Sequence, residues 1–288
     1  MSFEKGDFMP NVLVSQDLSC YGQVSMTSAL PLLYASQLKP TILPTALLST
    51  HTGGFGENTY HDLAQEMRAI IQHWQKLNLQ FDYVYLGYLG LRPLQVLQAQ
   101  LNTLLSKQAV VLLDPVMGDH NHLYKGFDDT YVQAMRQLAK QATIITPNYT
   151  EAKFLLGETL AETTSSVTIA DAKQVLTRLC DRFGLQSALI TGLPLPDNQI
   201  GIVGLSPDQA QGFEIIQPKL AGNFFGTGDT FTTALLAGLT HQKSLRVAAT
   251  MAAELVSLAI AHRPSETDAR LGIDYAPVMT DFLMRLDN

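Results

Sequence analysis

Six short runs constrain the fold of this chain more than any other feature: "NVLVS" (11–15), "TALLS" (45–49), "DYVYLG" (82–87), "AVVLLD" (109–114), "ATIIT" (142–146) and "SALIT" (187–191). Each is almost continuously apolar, and helix-like stretches at 59–77, 93–106, 128–140 and 168–183 lie between most of them. A strand that is apolar on both faces needs cover on both faces. Such runs alternating with helices predict an α/β fold with a mainly parallel central sheet flanked by helices. "IGIVG" and "GFEII" follow each other closely enough for an antiparallel hairpin near the sheet edge. Apolar helices are expected after Gly226 and over 245–262, both packed in the core, with a short one near 276–286. The chain has 288 residues, 46% of them hydrophobic, which suffices for a large core. No repeat, low-complexity segment or linker divides it, so a single domain over 1–288 is expected, with 1–10 as a tail. The polar "ETTSSVT" (162–168) reads as a loop that caps the following helix.

Composition narrows the partners. The net charge is −7 and no Lys/Arg cluster is present, which argues against nucleic acid and anionic membranes but leaves room for a small phosphorylated ligand. Two distant cysteines, Cys20 and Cys180, give no disulfide framework and fit a reducing compartment. The start "MSFEKGDFMP" has no apolar signal core and no run of eighteen apolar residues appears, so a cytoplasmic protein is expected. Without secretion the "NYT" sequon at 148–150 carries no meaning.

Ligands of parallel α/β sheets gather at the carboxyl ends of the strands. There this chain places Gln16 and Asp17, then His51, Thr52 and Gly53, then Tyr88, then Asp114 to Asp119, then Pro147, Asn148 and Glu151, and then Thr191. Any one of these could be an ordinary loop residue, but six strand ends in succession point to one shared site. A seventh contribution is "NFFGTGDTFTTALLAGL" (223–239), in which Gly226, Thr227 and Gly228 precede an apolar helix with Asp229 in its first turn. Free N–H groups and the dipole make a helix start attractive to anions. Asp229 there is either a helix cap or a functional carboxylate. No P-loop, GxGxxG after the first strand, HExxH or GxSxG is present, and "HNH" (120–122) reads as a polar loop. A carboxylate beside an anion-binding helix start, with acidic residues at other strand ends, suits phosphoryl transfer. Asp229 would accept the proton of an alcohol. Mg²⁺ would be held partly through water by Asp114, Asp119, Asn148 or Glu151.

"GTGDTF" and the small-residue helix after it resemble the signature of the ribokinase-like superfamily. "STHTGGF" (49–55), "GYLG" (87–90), "DPVMGD" (114–119) and "TPNYTE" (146–151) narrow the likeness to the pyridoxal (vitamin B6) kinases, over residues 11 to about 262. The resemblance implies a homodimer that uses ATP to phosphorylate the 5′-hydroxymethyl group of a B6 vitamer. It implies Asp229 as base and Gly226, Thr227 and Gly228 as anion hole. It puts Asp114, Asn148 and Glu151 in the cation and phosphate region, and Thr146, Thr191 and Thr227 on the nucleotide. Val24, Thr52 and Tyr88 fall in the vitamer pocket, Tyr124 in a segment over ATP, and K⁺ as an assisting cation. Among these, Asp114, Asp119 and Glu151 form the expected Mg²⁺ set.

"SQDLSCYGQVSM" departs from the family pattern. Asp17 stands where a pyridine-contacting Ser is expected, and Ser25-Met26 replace Gly-Asn. Asp17 either lines the pocket or caps the helix that starts near Gly22. Hydroxymethylpyrimidine kinases are close cousins, though many carry Cys in place of Asp229. Another sugar or vitamin kinase on the same fold and a non-catalytic ATP or vitamer sensor are the remaining alternatives.

Overall fold

The computed structural model describes residues 10–158, 167–264 and 266–287. At its centre lies an eight-stranded sheet. Strands β1 (Val12–Ser15), β2 (Thr41–Ile42), β3 (Phe81–Leu86), β4 (Leu105–Leu113), β5 (Ile144–Ile145) and β6 (Ser187–Leu195) are parallel. Strands β7 (Gln199–Ser206) and β8 (Gln209–Pro218) add the expected antiparallel hairpin, giving the order β8-β7-β6-β5-β4-β3-β1-β2. The helices are α1 (Ser25–Ala35), α2 (Ala64–Lys76), α3 (Leu91–Gln100), α4 (Asp129–Ala139), α5 (Tyr149–Leu156), α6 (Ile169–Phe183), α7 (Thr227–Thr240), α8 (Leu245–Ala261) and α9 (Met279–Asp287).

Successive strand residues point to opposite faces, and here both faces are apolar. Leu13, Val84, Leu86, Val111 and Leu113 pack with α2 to α6, whereas Val12, Val14, Tyr85, Leu112 and Ile144 pack with α1 and α7 to α9. Helix α7 is buried nearly throughout, from Thr230 to Gly238. At Gly238 a Cβ would lie 2.7 Å from that of Ala248, so the glycine lets α7 and α8 approach closely. The α7 N-terminus is thereby delivered to the carboxyl ends of the strands.

Several expected boundaries moved, each for a tertiary reason. "TALLS" does not enter the main sheet. Its Ala46–Leu48 pairs with Leu18–Ser19 and Tyr60–Asp62 in a separate three-stranded sheet, and Leu47 is 41% exposed. Burial on one face only suits a small outer sheet, and Thr41–Ile42 takes the place beside β1. Residues 60–62 are then strand rather than helix, and α2 starts at Ala64, whose N–H is accepted by Asp62 Oδ1 (2.9 Å). The stretch 93–106 stops being α-helix at Gln100 and passes through a 3₁₀ turn into a longer β4. Strand β6 does not end at Thr191: pairing with β7 resumes beyond a register shift between Ile190 and Leu193. Thr168 caps α6 through a capping box with Asp171, while 162–166 of the expected 162–168 loop and residues 1–9 of the expected tail lie outside the described residues. Among the described residues no helix is long and apolar enough to cross a membrane.

Candidate active site

The loop before α7 is shaped by Gly226. Its φ of 74° is left-handed, and a Cβ there would lie 2.7 Å from the Gln23 carbonyl, so only glycine fits. No side chain caps α7, which leaves its first turn available to an anion. Asp229, the third helical residue, reaches outward: its Oδ2 accepts the Ser25 N–H at 2.8 Å. Ser25 itself holds a φ of 48°, an uncommon conformation for a residue with a side chain. Burial raises the Asp229 carboxyl to about 6, the Ser25 bond opposes this, and the charge of Asp17 adds to it. A carboxylate poised there is a competent proton acceptor near neutrality.

Asp17 is buried beside it. Its Oδ2 accepts from Ser19 Oγ (2.8 Å), and burial raises its pKa against the bonds from Ser25 and Ser19. It is not a side-chain cap of α1, whose N-cap is Val24; only its main-chain carbonyl receives the Met26 N–H (3.2 Å). The Asp17 charge is felt at Asp229, Tyr60 and Tyr88, which puts Asp17 and Tyr88 on one side of the site. Val24 is buried, with its Cγ1 3.4 Å from where a Cβ on Gly226 would lie. Thr52 is exposed on the neighbouring loop. That loop is pinned by His51: Nδ1 accepts the Gly53 N–H (3.1 Å) and Nε2 faces the Arg270 carbonyl (2.5 Å). With Nδ1 accepting, Nε2 carries the proton and donates. The His51 ring also lies 4.7 Å from that of Phe225, next to Gly226.

The opposite side is built around Glu151. Asn148 caps α5 and Glu151 completes the capping box: Asn148 Oδ1 accepts the Glu151 N–H and Glu151 Oε2 accepts the Asn148 N–H, both at 2.9 Å. Glu151 Oε1 accepts from Met117 N (3.0 Å) and Gly118 N (3.5 Å), and Asn148 Nδ2 donates to the Gly118 carbonyl (2.8 Å). Burial still pushes Glu151 up to about 7. Asp114 is raised well above the carboxylate range by burial and by the charges of Glu151 and Asp229. Its Oδ2 lies 3.7 Å from where a Cβ on Gly228 would be, and Thr232 Oγ1 donates to it at 3.4 Å. Thr146 is buried with its hydroxyl 3.3 Å from that of Thr232. Thr191 bridges to Asn148 and donates its N–H to the Pro147 carbonyl (3.0 Å). Tyr124 is 41% exposed, and partial burial and then the charges of Glu151, Asp119, Asp114 and Asp229 raise its phenol.

The expected three-carboxylate metal set is not formed. Asp119 sits in the small hairpin Gly118–Asp119/His122–Leu123, where its Oδ1 takes the His120 N–H (2.7 Å), and "HNH" is the polar turn anticipated. Both Glu151 oxygens are occupied by backbone N–H groups. Among the described residues no three His, Cys, Asp or Glu converge on one point. The donors that remain are oxygens, with Asp114 foremost. They suit Mg²⁺, which keeps several waters and needs one or two carboxylates rather than a protein cage.

Ser25, Arg270 and Thr232 were not anticipated. Ser25 and Arg270 meet their partners across 204 and 219 residues, beyond any local pattern. Three threonine hydroxyls in the otherwise apolar "TFTTALLAGL" (230–239) were a readable signal for Thr232.

Comparison with known proteins adds the following. The family profile described as phosphomethylpyrimidine kinase matches residues 57–274. A pyridoxine/pyridoxal/pyridoxamine kinase of Bordetella avium is 29% identical over 251 residues, 82% of this chain and 79% of that one. The structure of pyridoxal kinase from Lactobacillus plantarum superposes with a TM-score of 0.85 at 33% identity, covering 96% of this chain and 98% of that one. Pyridoxal kinase from Leishmania donovani, solved with ADP and pyridoxamine, shares the fold at 22% identity, with a TM-score of 0.81 over 97% of this chain and 96% of that one.

Proposed function

The chain belongs to the phosphomethylpyrimidine kinase family, and on that premise we propose that it transfers the γ-phosphoryl group of ATP to the 5′-hydroxymethyl group of a vitamin B6 vitamer. Pyridoxal, pyridoxine and pyridoxamine are the acceptors. The observation that carries this reading is Asp229. Its carboxylate is fixed by the Ser25 N–H, not spent on capping its own helix, and raised to about 6 beside an uncapped helix start. In this reading Asp229 takes the proton of the acceptor hydroxyl. The N–H groups of Gly226, Thr227 and Gly228 stabilise the charge on the transferring group. Asp17, Val24, Thr52 and Tyr88 orient the acceptor ring, with the Asp17 carboxylate taking a hydrogen bond from a ring N–H or ring hydroxyl. Thr146, Asn148 and Thr191 border the nucleotide, and Tyr124 covers it. Asp114 would hold Mg²⁺, directly or through water, with Glu151 organising the surrounding backbone; the ion supplies neutralisation of phosphate charge when bound. The kinases that this chain resembles extend the reading to a single kinase domain over 1–288, a cytoplasmic homodimer, and assistance by K⁺.

A hydroxymethylpyrimidine acceptor is the second reading, and the description of the matching family favours it. The profile match starts at 57, after Asp17, Val24 and Thr52, so it bears on the transfer machinery more than on the acceptor pocket. ATP consumption with pyridoxal, pyridoxine, pyridoxamine, hydroxymethylpyrimidine and ribose decides between them. The expected result is a kcat/KM for at least one B6 vitamer above that for hydroxymethylpyrimidine. The reverse order overturns the vitamer assignment, and no turnover with any of them favours a sensor.

A further inference from the structure

The loop that carries Thr52 reads "HTGGFG" (51–56), with three glycines among six residues. Glycine gives up more conformational freedom on ordering than any other residue, so such a loop needs holding from outside. Its base is closed locally, by Asn58 Nδ2 donating to the Thr50 carbonyl (2.9 Å). The rest is held by residues 268–272, between α8 and α9, through bonds that span 216 and 219 residues. The Arg270 carbonyl accepts from His51 Nε2, and Arg270 Nη1 donates to the Gly54 carbonyl (3.3 Å). The Arg270 guanidinium also lies over the Phe55 ring, 4.7 Å from its centre, within the range of cation–π attraction. His51 and Tyr21 meet the same ring in T-shaped contacts at 5.0 and 5.7 Å. Arg270 does not hold this pose unaided. Asp268 Oδ1 accepts the Arg270 main-chain N–H (3.0 Å) and Nε (2.9 Å), and Asp268 Oδ2 accepts Nη2 (2.7 Å). A two-point fork fixes the plane of a guanidinium as well as its position. The segment is anchored in turn to the loop before α1. Gln23 donates its N–H to the Leu271 carbonyl (2.6 Å), and a Cβ on Gly272 would run into the Gln23 carbonyl.

We propose that Asp268 and Arg270 form a clasp that orders the glycine-rich loop 51–56 ahead of acceptor binding, with Arg270 as a positioning residue that sets Thr52 through Gly54 and Phe55. The clasp acts on the cost of ordering. A loop already held in place loses little further freedom when the acceptor arrives, so more of the contact energy appears as affinity. The nucleotide gains nothing from it, because Asn148 and Glu151 are held by each other and by Met117 and Gly118. The same segment ties loop 51–56 to the loop that presents Val24 and the Ser25 N–H on Asp229. The inference rests on the placing of Thr52 beside the acceptor.

Hydrogen exchange of the amides over 50–58, read by mass spectrometry, reports loop order without turnover. Steady-state kinetics with pyridoxal and ATP varied separately, and a thermal melt of each variant, accompany it. Arg270→Ala should speed exchange over 51–56 and raise the pyridoxal KM, each about three- to tenfold, for loss of an exposed cation–π contact and one charge-assisted bond. The His51 bond uses the Arg270 main chain and survives, which keeps the effect moderate. The KM for ATP, kcat and melting temperature should stay level. Arg270→Lys keeps a cation near Phe55 but not the fork, and should fall between wild type and Arg270→Ala. The Asp268→Asn/Arg270→Ala double variant should be no worse than Arg270→Ala, because Asp268 acts through Arg270. Unchanged loop exchange in Arg270→Ala, or a lower melting temperature with both KM values moved together, overturns the clasp and leaves a surface ion pair. Thr52→Ala separates the two possible failures. If it leaves the pyridoxal KM level, the placing of Thr52 fails and the clasp's role in binding falls with it. If it raises that KM while Arg270→Ala does not, the clasp alone falls. If the wild type turns over hydroxymethylpyrimidine and not pyridoxal, the vitamer assignment fails, and the same comparison with that acceptor judges the clasp.

Discussion

The two sides of the site are held together in different ways. On the side proposed for the nucleotide, Asn148 and Glu151 are three residues apart and satisfy each other, and Glu151 reaches only to Met117 and Gly118. On the side proposed for the acceptor, short-range bonds such as that of Asp17 with Ser19 are joined by contacts that cross most of the chain. Ser25 meets Asp229, His51 meets Arg270, and Gln23 donates its N–H to the Leu271 carbonyl (2.6 Å). A short-range capping box forms with its own helix, whereas the other side exists only once four segments, around residues 23–25, 51, 229 and 270–271, have docked. Substitutions on the first side should therefore spread into backbone stability, and those on the second into kinetics of the acceptor.

The largest effect is expected at Asp229, where the two sides meet. Asp229→Asn keeps an oxygen for the Ser25 N–H but loses the proton acceptor, so kcat should fall about 10²–10⁴-fold with Mg²⁺–ADP affinity nearly level. Near wild-type kcat would show that the carboxylate is no base. The wild type should lose kcat/KM as pH falls through about 6, the value to which burial raises this carboxyl. The stability sign runs the other way. A carboxyl raised on folding favours the folded state below its ordinary value of 3.8, and that contribution is lost as pH rises through about 6. Asp229→Asn should thus melt higher than wild type at pH 8, and the gain should shrink toward pH 5.

Glu151→Gln tests the nucleotide side. An amide replaces one acceptor oxygen with an NH₂ and turns it against a backbone N–H. Leaving such a buried group unpaired costs about 1–3 kcal/mol, several degrees of melting temperature. The KM for ATP and the Mg²⁺ needed for half-maximal rate should rise together, with acceptor KM nearly constant. An unchanged melting temperature would break the contrast between the two sides.

Asp17→Ala should raise acceptor KM by about tenfold and erode discrimination between ring analogues, because a buried acceptor group chosen for a ligand donor is lost. The KM for ATP should stay level. Proportional rises in both constants would remove Asp17 from the pocket. The smallest change is expected from Gly53→Ala. Its Cβ would lie 2.3 Å from Phe225 Cε1, so the ring before Gly226 must swing aside. A rise of about two- to fivefold in acceptor KM with an unchanged melting temperature would fit displacement of a partly buried ring. No kinetic change would show that the contact between the loop and Phe225 is incidental.

Local pattern alone determined much of this molecule. The parallel sheet with its edge hairpin, the α7 start at Gly226 and the Thr168 cap of α6 are all written in neighbouring residues. The physical reason is range: strand alternation and helix capping each involve residues within about four positions. "TALLS" shows the limit, since an apolar run does not say which sheet it joins; pairing with Leu18–Ser19 put it in the outer one, with Ala46 and Leu48 buried and Leu47 exposed. Whether Asp229 is a cap or a free carboxylate was likewise open in the sequence. The fold decided it by bringing Ser25 within 2.8 Å across 204 residues. The raised carboxyls of Asp229, Asp114 and Glu151, the His51–Arg270 tie and the bond from Thr232 to Asp114 are also tertiary products. A carboxyl's proton affinity depends on burial and on the charges and donors around it, and only the folded chain assembles those neighbours.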